Sequence, residues 1–305
     1  MLNIKTPIEE YEINNIPVFV KREDLCSPFP GPNNAKIRGI YPFLLRLKEQ
    51  GIKNVGILDT KISRAGWIVA YCCSKLGLKC YDFFPMYKND SKLKFQQLMV
   101  KAFKGILIPQ KAGRESIRYA RAKKFMKKIP NSFMLPDMLK LTETVNEVSK
   151  IVLSIDKSLL SGSIIVSVGS GTIFTGILKG LIEQKLADSS LFGILCANVS
   201  TESRYRNINK LLGYYNFFKK PKVKLINYNY EYLKPEFYDS PFPCDIYYDR
   251  KAWRWLCLNV NKLKQPILFW NIGGEWNENG LDSNLRGDGL VSKEQVNKFI
   301  KKVNE

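Results

Sequence analysis

The run Ser163-Ile164-Ile165-Val166-Ser167-Val168 breaks abruptly at Gly169-Ser170-Gly171-Thr172. The chain then continues as Ile173-Phe174-Thr175-Gly176-Ile177-Leu178-Lys179-Gly180, a helical pattern with glycine at four-residue spacing. A buried strand that turns through glycines straight into a helix belongs to an α/β architecture. The turn also leaves the helix's first N–H groups and its positive dipole end free, a seat suited to a dianionic phosphate. Such a turn is weak evidence by itself, so its meaning depends on what else the chain supplies.

A second stretch fixes the sheet type. Residues 55–58 read as a short buried strand, residues 67–76 as a helix stopped by Gly77, and residues 78–84 as the next strand. Strand, helix, strand in that order implies a parallel sheet.

The third feature is a lysine. Val20-Lys21-Arg22-Glu23-Asp24-Leu25 ends a strand in charges, and the prolines of residues 26–32 forbid a helix there. Asn33-Asn34-Ala35-Lys36-Ile37-Arg38-Gly39 then sets Lys36 at the first turn of a helix over residues 35–48. A primary amine at the mouth of an α/β sheet can form a Schiff base with an aldehyde once its surroundings lower its pKa. Among 48 basic residues Lys36 is singled out only by its combination with the glycine turn. A lysine imine together with a phosphate cradle describes a pyridoxal phosphate site.

Lys-Arg-Glu-Asp-Leu, Ala-Lys-Ile-Arg-Gly and Val-Gly-Ser-Gly-Thr, in that order, resemble the tryptophan-synthase-β-like (fold-type II) family of pyridoxal phosphate enzymes. The nearest branches are threonine dehydratase, D-cysteine desulfhydrase and aminocyclopropane-carboxylate deaminase, and the likeness runs from Val18 to Gly274. It implies two three-layer α/β/α domains with mostly parallel sheets. Residues 1–48 and 155–305 would form the large cofactor-binding domain and residues 49–154 the small one. It further implies Lys36 as the Schiff-base lysine, Gly169, Ser170, Gly171 and Thr172 as the phosphate cup, and a homodimer.

Departures from the family pattern carry information of their own. The loop that holds the substrate carboxylate in the family keeps Ser63, but Arg64 and Ala65 replace its asparagine and histidine. Arg64 beside the cofactor's phenolic oxygen would clamp a carboxylate or phosphate, or else turn outward. Tyr247 and Tyr248 are the candidates for a tyrosine that faces the cofactor in the deaminase branch. Before Gly273-Gly274, where a hydroxyl or thiol normally meets the pyridine nitrogen, stands Ile272; Asn271 or water would have to replace that contact.

Bulk properties bound the rest. The chain has 305 residues, 45% of them hydrophobic, enough for one large or two medium domains with a real core. It lacks an apolar run of membrane-spanning length and a signal-peptide core, so a cytoplasmic protein without a membrane partner is expected, host cytoplasm if viral. Seven cysteines without a Cys-x-x-Cys pair, and no histidine, argue against zinc, a disulfide framework and Ser-His or Cys-His nucleophiles. The net charge of +20 fits contact with a polyanion such as DNA, and fits equally a lysine-rich composition. Residues 114–128 would lie along a phosphate backbone or form a solvated outer face. Aromatics interleaved with lysines between residues 204 and 232 would stack bases, or form a lid or dimer contact.

The resulting expectation is a pyridoxal phosphate enzyme acting at the α-carbon of an amino acid, with elimination, deamination and decarboxylation all open. The family resembled includes bacteriophage enzymes that tailor amino acids attached to thymidine in DNA, and the basic balance fits that role. The competing expectation is a non-catalytic nucleic-acid-binding relative that retains the fold.

Overall fold

The computed structural model describes residues 4–88, 93–213 and 221–274, together with Lys298 and Lys301. The chain opens with a hairpin, β1 (Ile8–Ile13) and β2 (Ile16–Arg22), turned by Asn14 and Asn15, both at positive φ. Next come α1 (Ile37–Glu49), β3 (Asn54–Leu58), α2 (Ala65–Leu76), β4 (Lys79–Met86), α3 (Phe95–Ala102), β5 (Ile106–Lys111), α4 (Glu115–Met126) and β6 (Ser132–Met134). They are followed by α5 (Thr142–Leu153), α6 (Lys157–Leu160), β7 (Ser163–Val168), α7 (Thr172–Glu183), β8 (Ser190–Leu195), α8 (Thr201–Leu212), β9 (Lys222–Ile226), α9 (Asp249–Asn259) and β10 (Ile267–Asn271).

These strands form two sheets, ordered β1-β2-β10-β7-β8-β9 and β5-β4-β3-β6. Among these strands only the β1/β2 pairing is antiparallel; the others are parallel, and β3, β7 and β10 inside the sheets are mostly apolar, as strands covered on both faces are. β7 and β10 are buried along their full length.

The apolar face of α1 (Ile37, Ile40, Leu44) packs with Val55, Ile57 and Ile68, in the cluster around the smaller sheet. Val148 and Val152 of α5 pack instead with Ile164 and Phe174 beside the larger sheet. The helices on either side of the division drawn at residues 48 and 154 each follow their apolar face, α1 to the smaller sheet and α5 to the larger. α5 and α7 approach closely: a Cβ on Gly176 would lie 2.5 Å from the Cβ of Val148, and one on Gly180 2.5 Å from that of Val152. That close approach is the reason for the four-residue glycine spacing.

Six of the cysteines are buried and all seven are free. No helix among the described residues is long and apolar enough to cross a membrane. Residues 214–220, within the aromatic and lysine-rich stretch, fall outside the described residues.

Candidate active site

Lys36 stands at the entrance to α1, and the last strand of the large sheet holds it there. Ala35 N–H donates to the Ile272 carbonyl (2.9 Å) and Gly274 N–H to the Asn33 carbonyl (3.2 Å), while Asn34 Oδ1 accepts from Lys36 N–H (3.1 Å). The charged end of β2 braces the same segment from below. Arg22 grips Asp24 through two hydrogen bonds (3.0 and 2.8 Å), and Arg38 Nε donates to Glu23 Oε2 at 2.6 Å. All four side chains are buried or nearly so, and an ion pair out of water keeps its geometry only when both partners are satisfied.

The Lys36 side chain is half-buried, and its amine donates to the Met138 carbonyl at 3.3 Å. Desolvation drives its pKa down to about 8; Asp59 opposes the shift, and Lys140 and Arg204 add to it. A usable fraction of the amine is therefore neutral near physiological pH.

Lining the same cavity is the glycine turn between β7 and α7, where Gly171 takes φ +92°, a conformation glycine adopts freely. The N–H groups of Gly169, Ser170 and Gly171 find no acceptor among the described residues, although α7 begins directly behind them. The Ser170 and Thr172 hydroxyls lie 3.0 Å apart at the same turn. Lys36, this turn, Ser63, Arg64, Tyr248 and Ile272 all line one cavity of about 650 Å³. That volume falls within the roughly 300–1,000 Å³ of ligand pockets.

Three expected residues are placed otherwise. The Arg64 guanidinium pairs with Asp245 (2.9 Å) and donates to the carbonyls of Asn33, Pro32 and Gly274, so it ties the α2 entrance to the β10 turn. That is not a free clamp for substrate, because its charge is neutralised by an acid far along the chain. Asn271 is fully buried, gives its amide to the Pro243 carbonyl (2.8 Å) and lies outside the cavity lining, since strand alternation turns it away. Tyr247 is likewise absent from the lining, whereas its neighbour Tyr248 is present.

Several groups in the cavity escaped the sequence reading. Asp249, first residue of α9, accepts from Ser167 Oγ (2.6 Å) and from Gly273 N–H (3.0 Å); burial pushes its carboxyl up to about 7. Tyr232 and Tyr248 share a 2.6 Å hydroxyl contact, and Thr60 Oγ1 lies 3.1 Å from the Tyr232 hydroxyl. Burial raises the Tyr232 hydroxyl to about 12 and that of Tyr248 well above its ordinary value. Tyr232 lies in the aromatic stretch read as a base-stacking or lid surface, but it packs inward. Asp59 and Arg204 also line the cavity. An acid opening a helix, or one tyrosine among 15, carries no local sign of facing a cavity.

A lysine amine of lowered pKa in one cavity with a row of unpartnered amides is the donor set a phosphorylated aldehyde needs, so the residues fit pyridoxal phosphate. The sequence profile of the family described as pyridoxal-phosphate dependent enzyme matches residues 1–211. The chain belongs to that family and is an enzyme with pyridoxal phosphate as its cofactor. The expectation of a non-catalytic relative falls away.

A relative from Pseudomonas phage M6, named glycyl-dTMP PLP-dependent decarboxylase, is 36% identical over 283 residues, covering 90% of this chain and 100% of the relative. The crystal structure of an ACC deaminase homologue has a TM-score of 0.75 at 20% identity, over 90% of each chain. A threonine deaminase from T.th. gives 0.64 at 13% identity, over 89% of this chain and 93% of its own. Those two likenesses concern the fold, an α/β architecture with mostly parallel sheets of the tryptophan-synthase-β-like kind.

Proposed function

We propose that this enzyme removes the carboxyl group, as carbon dioxide, from an amino acid carried on thymidylate in DNA. One observation carries the reading. The Lys36 amine and the acceptor-free glycine turn share a cavity, in a chain that matches the glycyl-dTMP decarboxylase along that relative's whole length.

When bound, the cofactor supplies an aldehyde for the amine and an electron sink for the pair left on the α-carbon. Lys36 is the residue to hold it covalently, and the amides of Gly169, Ser170 and Gly171, with the Ser170 and Thr172 hydroxyls, are its phosphate seat. Asp249 sits against the Ile272–Gly273 backbone and offers the polar contact for the ring nitrogen that Ile272 lacks. Tyr248 and Tyr232 stay protonated at neutral pH. In this reading their hydroxyl pair is the acid that returns a proton to the α-carbon after carbon dioxide has left, supported by their 2.6 Å contact in the cavity lining.

The net charge of +20 supports a DNA-borne substrate, because phosphate neutralisation needs a surplus of cations outside the pocket. The functional assembly in this reading is a homodimer in the cytoplasm of the host cell. The decisive experiment incubates purified holoenzyme with an oligonucleotide bearing glycyl-thymidine and measures released carbon dioxide. Release that disappears in Lys36→Ala along with the visible absorbance supports the reading. No release from a yellow, cofactor-loaded wild type refutes it. Binding to the same oligonucleotide should weaken linearly with log salt.

A further inference from the structure

The first turn of α2 opens onto the cavity, with Asp59, Thr60, Ser63, Arg64 and Ala65 all in the lining. Unpaired N–H groups and a positive dipole end make such a turn the natural resting place for an incoming carboxylate. Here the chain occupies two of its N–H groups, those of Ala65 and Gly66, from within. Asp59 Oδ1 accepts from Thr60 N–H (2.7 Å), and Asp59 Oδ2 accepts from Gly66 N–H (2.9 Å). Ser63 Oγ accepts from Ala65 N–H (3.0 Å), Thr60 Oγ1 accepts from Ser63 N–H (3.1 Å), and Ile68 N–H goes to the Arg64 carbonyl (2.9 Å). Of the cations around this turn, Arg64 is held by Asp245, and Arg118 donates to the Asp59 carbonyl (2.7 Å) and to that of Phe83 rather than to either carboxyl.

A second acid lies beneath. Both carboxyl oxygens of Asp82 are buried without a hydrogen-bond partner. A Cβ on Gly66 would stand 2.6 Å from Asp59 Oδ2 and 2.7 Å from Asp82 Oδ2, so the two carboxyls face each other across that glycine. Two carboxylates so placed out of water do not both ionise. Asp59 has the amides and is the charged member; Asp82 keeps the proton.

We infer that Asp59 determines reaction specificity: seated on the α2 turn, it denies that position to the substrate's own carboxylate and favours loss of that group as carbon dioxide. The inference rests on the decarboxylase reading above. The bond that breaks joins the α-carbon to the carboxyl carbon. Carbon dioxide leaves, the electron pair stays on the α-carbon, where the bound cofactor would stabilise it, and one proton from the pocket completes the amine product. A fixed negative charge beside the reacting group opposes the carboxylate of the bound substrate but not neutral carbon dioxide, so repulsion is relieved as the bond stretches.

The test uses holoenzyme, wild type and Asp59→Asn, with the amino acid glycine and its decarboxylated counterpart methylamine as binding probes, followed by visible absorbance. Wild type is expected to bind glycine no more tightly than methylamine. Asp59→Asn should gain about tenfold in glycine affinity with methylamine unchanged, and should release carbon dioxide from the glycyl-thymidine oligonucleotide about tenfold more slowly. Its unreacted substrate, recovered from deuterium oxide, should carry deuterium at the α-carbon, which wild-type substrate lacks. Asp82→Asn, which replaces a neutral group by a neutral one, should leave the glycine to methylamine ratio where wild type has it.

Wild type that binds glycine tenfold or more above methylamine overturns the inference, and this holds even if Asp59→Asn fails to fold. So does a folded Asp59→Asn with unaltered affinities and no deuterium uptake while wild type releases carbon dioxide. A wild type that releases none removes the decarboxylase reading and the inference with it.

Discussion

The most direct prediction concerns the Lys36 amine. With its pKa lowered from 10.5 to about 8, roughly a quarter of the amine is neutral at pH 7.5, about 200 times the fraction of an ordinary lysine. Burial is the larger cause and the cations Arg204 and Lys140 are lesser ones, so the two can be separated. Arg204→Met removes a like charge and should raise the midpoint, yet leave it well below 10.5 because the burial remains. The assay is brief acetylation of cofactor-free protein at a series of values from about pH 6 to about pH 11, with the Lys36 peptide quantified by mass spectrometry. A wild-type midpoint near 10.5 would refute the reasoning, and so would a downward shift in Arg204→Met.

Three further outcomes are expected. Asp82 has a folded-state pKa raised well above 3.8, so its favourable contribution is complete below that value and is lost as pH rises through the folded one. Asp82→Asn escapes that loss and should be more stable than wild type by about 1–3 kcal/mol at pH 8, with the gap closing toward pH 4, as read from thermal midpoints across pH. Gly176→Ala sets a Cβ 2.5 Å from that of Val148 and 2.9 Å from the Val145 carbonyl oxygen. Stability lowered by about 1–3 kcal/mol in denaturant titration is expected, and an unchanged or raised value contradicts the close α5–α7 packing. Tyr232→Phe removes the partner hydroxyl of Tyr248 and should slow turnover about a hundredfold with cofactor absorbance intact; full activity would exclude the pair as the proton source.

Much of the frame was legible because its signals are local. β3, β7 and β10 are short apolar runs between turn formers, the reading expected for buried parallel strands, and the glycine turn and Lys36 declare themselves within a few residues. Groups that depend on distant parts of the chain were not legible. Arg64 could be seen to stand where a substrate-binding residue is expected, but its neutralisation by Asp245 depends on how the two sheets come together. Asp249 reads as an ordinary acid at a helix start until β10 brings Gly273 against it. The Asp59 and Asp82 pair is hidden for the same reason: each is one charged residue in or just beyond an apolar strand, and only the β3–β4 pairing over Gly66 sets them face to face.

The place of β10 in the sheet has a consequence for how the protein is made. The N-terminal hairpin and β7 share no hydrogen bonds; the slot between them is filled by a strand that a ribosome delivers long after both. Until that strand slides in, the loop bearing Lys36 lacks the backbone ties to residues 272–274 that hold it over the cavity. A nascent chain is thus unable to capture its coenzyme early, and competence waits until residues 267–274 have been made and seated.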